Sequence, residues 1–221
     1  MKKGVIFDMD GLLFDTEAVW QRNWSRVAAD MGIDLPEAFR KEICGTSGEI
    51  MKRVIEKYYG VDDGTEIMQN VINGVHSDLK DNVPEKPGLH EILEHFRNKG
   101  MKMAVASSSS QAQIESNCRN AGILEYFDAL VSGAQIGKSK PAPDIYQIAS
   151  KNLDLEPKDC IVVEDAISGI KSAQSAGIGK IIAICSEEPY EFYTSMSEVS
   201  EIIRDFDEFD RNLFATENLA K

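Results

Sequence analysis

Two carboxylates at the end of a short apolar run suggest the chemistry open to this chain. Gly4-Val5-Ile6-Phe7 stops abruptly in Asp8-Met9-Asp10-Gly11. A bounded apolar run of this kind reads as a buried strand, and on extended backbone side chains two apart point the same way. Asp8 and Asp10 therefore face one small volume at the carboxyl end of a strand, where open α/β sheets bind ligands. Two acids that close repel each other unless a cation or a shared proton relieves them. A hard cation such as Mg2+ serves, and it usually keeps substrate phosphate oxygens as further ligands. Taken alone, the pair is equally well an acidic turn that Gly11 bends.

Three more polar clusters fall just after apolar runs. Ser107-Ser108-Ser109-Ser110 follows Val105-Ala106, Gly137-Lys138-Ser139-Lys140-Pro141 lies beyond Val131, and Glu164-Asp165 follows Ile161-Val162-Val163. In a parallel sheet these strand ends share one edge, so all three can converge on Asp8 and Asp10. A hydroxyl, an ammonium and further carboxylates around one point suit phosphoryl transfer, where catalysis is mainly positioning and charge neutralisation. Each cluster also has a plain reading. The serines can cap the next helix, and capping by Ser109 is compatible with a site role for Ser107. Lys140 can be a solvated loop lysine. Glu164 and Asp165 can be first-turn acids favoured by the helix dipole. Their coincidence at successive strand ends carries the functional reading. Gly137-Lys138-Ser139 is no phosphate loop, because Ser132 stands where its first glycine belongs and Pro141 and Pro143 block the helix. His76, His90 and His95 lack metal-ligand spacing and read as surface residues.

The elements that must position these groups follow from periodicity. After Phe7 the next clear strand is 101–106, far beyond the dozen or so residues a parallel crossover needs. The excess shows helix-type apolar spacing over 17–31, 36–44, 48–59 and 65–79, with Gly32, Gly45 and Gly60 at the ends. This block, 16–83, reads as a small helical domain inserted into a larger one made of 1–15 and 84–221, with Pro84 and Pro87-Gly88 marking the return. From there helices at 88–99, 112–121, 144–152 and 166–176 alternate with strands at 101–106, 129–131, 161–163 and 181–184. An acidic tail adds a strand at 202–203 and a final helix at 207–214. Short, wholly apolar strands between helices imply an α/β fold, a doubly wound parallel sheet covered on both faces.

Composition sets outer bounds. A formal net charge of −13 over 221 residues disfavours nucleic acid as a partner. The 4 cysteines are scattered without zinc spacing, as expected of free thiols in a reducing cytoplasm. Met1-Lys2-Lys3 looks like the start of a signal peptide, but Asp8 and Asp10 break the apolar stretch too early. With no run of membrane-spanning length, a cytoplasmic, monomeric protein is expected.

Taken together, Phe7-Asp8-Met9-Asp10-Gly11-Leu12-Leu13-Phe14-Asp15-Thr16, Val105-Ala106-Ser107, Ser139-Lys140-Pro141-Ala142-Pro143-Asp144 and Val163-Glu164-Asp165 resemble the haloacid dehalogenase superfamily, specifically its β-phosphoglucomutase-like branch. Order and spacing agree over nearly the whole chain. The resemblance implies a Rossmann-like core with a helical cap, and a phosphomonoesterase using Mg2+ on a small phosphorylated metabolite. It makes Asp8 the nucleophile that becomes an aspartyl-phosphate, and Asp10 the acid that protonates the leaving alcohol and then the base that activates water. It assigns the metal to Asp8, Asp165 and the Asp10 carbonyl, with Glu164 a ligand directly or through water. Ser107 and Ser108 would bind the phosphoryl group, Lys140 would offset its charge and hold Asp8 ionised, and Trp20 and Ser47 are the substrate-binding candidates of the cap.

The chain departs from the β-phosphoglucomutase pattern in the cap, where Trp20 and Gly48 replace the branch's histidine and arginine. Without that arginine, and with Glu49 adjacent, a bisphosphate would be poorly held, which favours phosphatase over mutase. Trp20 can stack on a sugar or base, or pack in the interior. A hexose phosphomutase is the close alternative and a phospho-receiver the distant one. Receivers need no helical insertion of this size.

Overall fold

The computed structural model describes residues 3–44, 46, 48–185 and 190–209. The chain divides into two compact units, one made of residues up to Phe14 and from Glu85 onward, the other of Asp15–Pro84. The larger unit is built on a parallel sheet whose centre is β1 (Gly4–Phe7), buried at every position. It pairs on one side with β2 (Lys102–Ser107) and on the other with β4 (Cys160–Glu164). β3 (Ala129–Ser132), β5 (Lys180–Ile184) and β6 (Glu201–Ile203) complete the order β3-β2-β1-β4-β5-β6. The order reverses between β1 and β4, and that reversal opens a crevice at the strands' carboxyl ends. Register does the rest. Phe7 lies level with Val105 and Val163, and the Asp8 amide donates to the Val163 carbonyl at 3.1 Å. The residues that follow all three strands therefore emerge together. The doubly wound α/β fold expected from the apolar pattern is the one that forms.

The two-residue alternation of a strand divides the core into two layers. Ile6, Ala104, Ala106 and Val162 pack on one face with Tyr146 and Ala149 of α7 (Asp144–Asn152) and Ile170 and Ala173 of α8 (Ile167–Ser175). On the other face the Phe7 ring meets Phe96, Phe127 and Phe206 edge-on, with centroids 6.0, 6.1 and 6.3 Å away. Phe96 belongs to α5 (Leu89–Asn98), and α6 (Gln111–Asn120) follows β2. A short helix, α9 (Tyr190–Thr194), carries no sequence expectation, because five residues are too few to reveal a period. Where a final helix was expected from residue 207, Phe206–Glu208 is a single 3-10 turn, and residues 210–214 lie outside those described.

Within the larger unit the two ends of the insertion meet. Phe14 bridges to Glu85, and the Lys86 amide donates to the Leu13 carbonyl at 3.0 Å. The smaller unit contains α1 (Glu17–Asp30), α2 (Glu37–Ile43), α3 (Gly48–Tyr59) and α4 (Thr65–Asp81). Its centre is Trp24, 2% exposed, against Phe39 at 5.6 Å and Tyr59 at 6.4 Å, with the Tyr59 hydroxyl donating to the Trp24 carbonyl at 2.9 Å. Among the described residues no helix is long and apolar enough to cross a membrane.

Because Phe7, the last residue of β1, meets three rings directly before Asp8, Phe7→Ala should cost about 3–5 kcal/mol of stability. Denaturant unfolding measures this. A loss within 1 kcal/mol, roughly the cost of a mild core swap, would show that the layer repacks without it.

Candidate active site

Asp8 and Asp10 sit on a tight turn directly after β1. The Met9 carbonyl accepts from the amides of Leu12, Leu13 and Phe14 at 3.3, 2.9 and 3.2 Å, and the Gly11 amide donates to the Phe14 carbonyl at 2.9 Å. Gly11 is required here twice over. Its φ of +86° lies in the left-handed region, and a Cβ there would stand 2.2 Å from Asp165 Oδ2. The Asp165 carboxylate, supplied from the end of β4, thus lies directly against the turn that carries Asp8 and Asp10. Asp8 and Asp165 are each only 8% exposed.

Lys140 links two of these strand ends. Its Nζ donates to Asp8 Oδ1 at 2.5 Å, to Glu164 Oε1 at 2.6 Å and to the Ala106 carbonyl at 3.2 Å, and its side chain is 7% exposed. It is an interior cation and not a solvated loop lysine. Burial works against the ammonium, but Asp8 and Glu164 outweigh it and hold the pKa well above the usual lysine value. Burial pushes Asp8 up to about 7, Lys140 opposes that rise, and Glu164 and Asp10 add to it. One ammonium does not fully compensate the acids gathered around it.

Glu164 is saturated. Its Oε1 accepts from Lys140 and from the buried Tyr146 hydroxyl, each at 2.6 Å, and its Oε2 accepts from the amides of Asp165 and Ala166, each at 3.0 Å. Its carboxylate fills the space beside Gly169, where a Cβ would fall 1.6 Å from Oε1. This glycine has no unusual backbone angle; it is needed for room.

The serine run divides its work differently from the sequence expectation. Ser110, not Ser109, caps α6, its hydroxyl accepting from the Gln113 amide at 3.3 Å. Ser107 and Ser109 both donate to Asp10 Oδ2, at 3.1 and 2.8 Å, and the Ser109 amide donates to the Ser107 hydroxyl at 3.0 Å. The Ser109 carbonyl accepts from Ser132 at 2.7 Å. Ser108, between them, is exposed and makes none of these contacts. Ser109 is thus a site residue that sequence reasoning set aside as a cap, although the i, i+2 rule applied to Asp8 and Asp10 points to it as well.

In the smaller unit Trp20 is half-buried and stacks on Trp24, with centroids 6.2 Å apart and planes 25° apart, which is the packing reading of that residue. Ser47 lies outside the described residues. His76 and His90 are exposed as expected, whereas His95 is half-buried against the Phe96 ring. Tyr146 and Gly169 carry no functional signal in the sequence, because each acts only through the Glu164 carboxylate packed against it.

Among the described residues no three His, Cys, Asp or Glu side chains are grouped so as to hold a metal ion. The set expected for Mg2+ needs only two carboxylates, those of Asp8 and Asp165, together with the Asp10 carbonyl. These are hard oxygen donors of the kind Mg2+ takes, and the incompletely compensated charge at Asp8 fits an added cation. Both oxygens of Glu164 already accept protein hydrogen bonds, which weighs against direct ligation and leaves the water-mediated form of the role expected of it.

Gly169→Ala should drive the Glu164 carboxylate out of its niche and break its contact with Lys140. A crystal structure of the variant checks this, and an unmoved Glu164 would show that α8 shifts instead.

Over residues 5–183 the sequence matches the haloacid dehalogenase-like hydrolase family. It is 33% identical over 186 residues to a phosphorylated carbohydrates phosphatase of Thermotoga maritima, covering 82% of this chain and 85% of that protein. A β-phosphoglucomutase of Bacillus subtilis is 30% identical over 184 residues, covering 80% of each. A solved structure of a HAD hydrolase, family IA, variant 3, from Entamoeba histolytica superposes with a TM-score of 0.82 at 27% identity, covering 94% of this chain and 95% of that one. In this chain the strand order, the acids at the switch point and the extent of the sequence match agree: it belongs to the haloacid dehalogenase-like hydrolases.

Proposed function

We propose that this hydrolase is a Mg2+-dependent phosphatase that cleaves a small phosphorylated metabolite, a sugar phosphate or a nucleotide monophosphate, through an aspartyl-phosphate on Asp8. The observation that carries this reading is the division of labour on one turn. Asp8 bonds to the buried Lys140 ammonium, while Asp10, two residues on, is held by the hydroxyls of Ser107 and Ser109. A carboxylate nucleophile needs nearby cations to stay anionic. A general acid needs orientation instead.

In the first step an Asp8 oxygen bonds to phosphorus as the bond from phosphorus to the ester oxygen breaks, and Asp10 gives its proton to the departing alkoxide. In the second, Asp10 takes a proton from water, whose oxygen attacks phosphorus and returns Asp8 as a carboxylate with release of phosphate. Asp8, Asp165 and the Asp10 carbonyl would hold Mg2+, which supplies positive charge against the phosphoryl oxygens when bound. Lys140 adds to that charge, and Ser107 turns its single O–H from Asp10 to the phosphoryl group when substrate binds, leaving Ser109 on Asp10. Glu164 acts through Lys140. The helical unit serves as a cap that excludes bulk water and selects the substrate.

The phosphatase relative supports a sugar phosphate, whereas the mutase relative keeps a hexose phosphomutase in play. Gly48 bears on the choice. It opens α3 with φ +55°, a backbone state that L side chains rarely adopt. An arginine for a second phosphate is disfavoured there by about 1–2 kcal/mol. With β-glucose 1-phosphate and a trace of its bisphosphate, free phosphate is expected, and isomerised hexose phosphate would favour the mutase.

A panel of phosphate esters assayed with and without excess EDTA tests the reaction class. Phosphate release that stops on chelation and returns with Mg2+ is expected, and undiminished release in EDTA would remove the metal from the scheme. Asp8→Asn should abolish turnover. Asp10→Asn should slow it by about 100- to 10,000-fold, the usual worth of general acid–base help. Steady-state rates check both, and a near-normal rate in either variant would overturn that residue's role.

A further inference from the structure

The Lys140 ammonium has three N–H donors, and the structure gives each a partner: Asp8 Oδ1 at 2.5 Å, Glu164 Oε1 at 2.6 Å and the Ala106 carbonyl at 3.2 Å. How such a cation divides between two carboxylates depends on what else satisfies each of them. On Glu164 the competing donor at the same oxygen is the Tyr146 hydroxyl, at 2.6 Å. Tyr146 is wholly buried in α7, and the face of its ring lies 5.0 Å from Nζ, within cation–π range. The ring thus backs the ammonium while the hydroxyl takes up part of the Glu164 charge. If the hydroxyl were removed, Lys140 would be the side-chain donor left on Glu164 Oε1 among the described residues, and the ammonium would be drawn toward it and away from Asp8.

We propose that Tyr146 is a positioning residue which, by sharing Glu164 with Lys140, sets the hold of Lys140 on Asp8. The proposal rests on the reading of Asp8 as nucleophile. Tyr146 touches neither Asp8 by any hydrogen bond in the structure nor the phosphoryl group in the proposed reaction, and acts only through Glu164 and Lys140.

Tyr146→Phe keeps the ring and deletes the hydroxyl. The comparison variant is Ser150→Ala, on the same helix, which deletes a buried hydroxyl that donates to the Tyr146 carbonyl at 2.8 Å and has no part in the site. The measurements are kcat, KM and thermal midpoint with p-nitrophenyl phosphate and Mg2+, together with the single-turnover rate of phosphoenzyme formation. Tyr146→Phe should lower kcat and the phosphoenzyme rate together by about 10- to 100-fold, the usual worth of a hydrogen bond to a charged group. KM should stay within about twofold, a span well below one such bond. Ser150→Ala should lower the thermal midpoint and leave kcat unchanged. A Tyr146→Phe enzyme with wild-type kcat, or one whose rate falls only as far as that of an equally destabilised Ser150→Ala enzyme, would overturn the proposal alone. A wild-type enzyme that hydrolyses esters without forming a phosphoenzyme on Asp8 would overturn the nucleophile reading, and the proposal with it.

Discussion

A buried ammonium shared between two carboxylates is the interaction around which the site is arranged. Removing such charges from water costs several kcal/mol per ion, on the order that only close pairing and further hydrogen bonds can offset. The Lys140 cluster meets this demand with three bonds from the ammonium and four to Glu164. Removing any one partner weakens that compensation and shifts how the remaining bonds are shared. That explains why groups outside the chemistry, Gly169 by its lack of a side chain and Tyr146 by its hydroxyl, are bound up with the site's geometry.

The sheet makes this cluster possible. Lys140 and Asp8 are 132 positions apart in sequence, and Ser109 and Asp10 are 99 apart. Their meeting follows from parallel pairing of β1 with both β2 and β4, which brings three strand ends level. The reversal of strand order beside β1 keeps the space above those ends free of a crossing connection. Phe7 ties this arrangement to the core, since the residue that fills the lower aromatic layer immediately precedes the first carboxylate.

Acids and serines are then sorted by environment more than by type. Asp8 and Asp10 are chemically identical and two residues apart, yet one faces an ammonium and the other two hydroxyls. Glu164 and Asp165 are adjacent, yet Glu164 is saturated by protein donors while Asp165 lies against the Gly11 turn. Among the serines, Ser107 and Ser109 contact Asp10, Ser110 caps a helix and Ser108 is exposed. β2 ends at Ser107 and the chain bends through Ser108 and Ser109, leaving Ser108 outward and Ser109 on Asp10, and the start of α6 accounts for 110.

Local rules made much of this legible without coordinates. Apolar runs ending in polar residues marked the strands, the two-residue period put Asp8 and Asp10 on one side, and the excess length after Phe7 marked a helical insertion. Those features depend on neighbours a few positions away, so the sequence alone determined them. It could not show that Glu164 is held by Lys140 and Tyr146, or that Gly169 makes room for a carboxylate. Each depends on which side chains meet across helices and strands. Only the packed tertiary structure decides that, because burial and close approach, not sequence spacing, choose the partners of a buried charge.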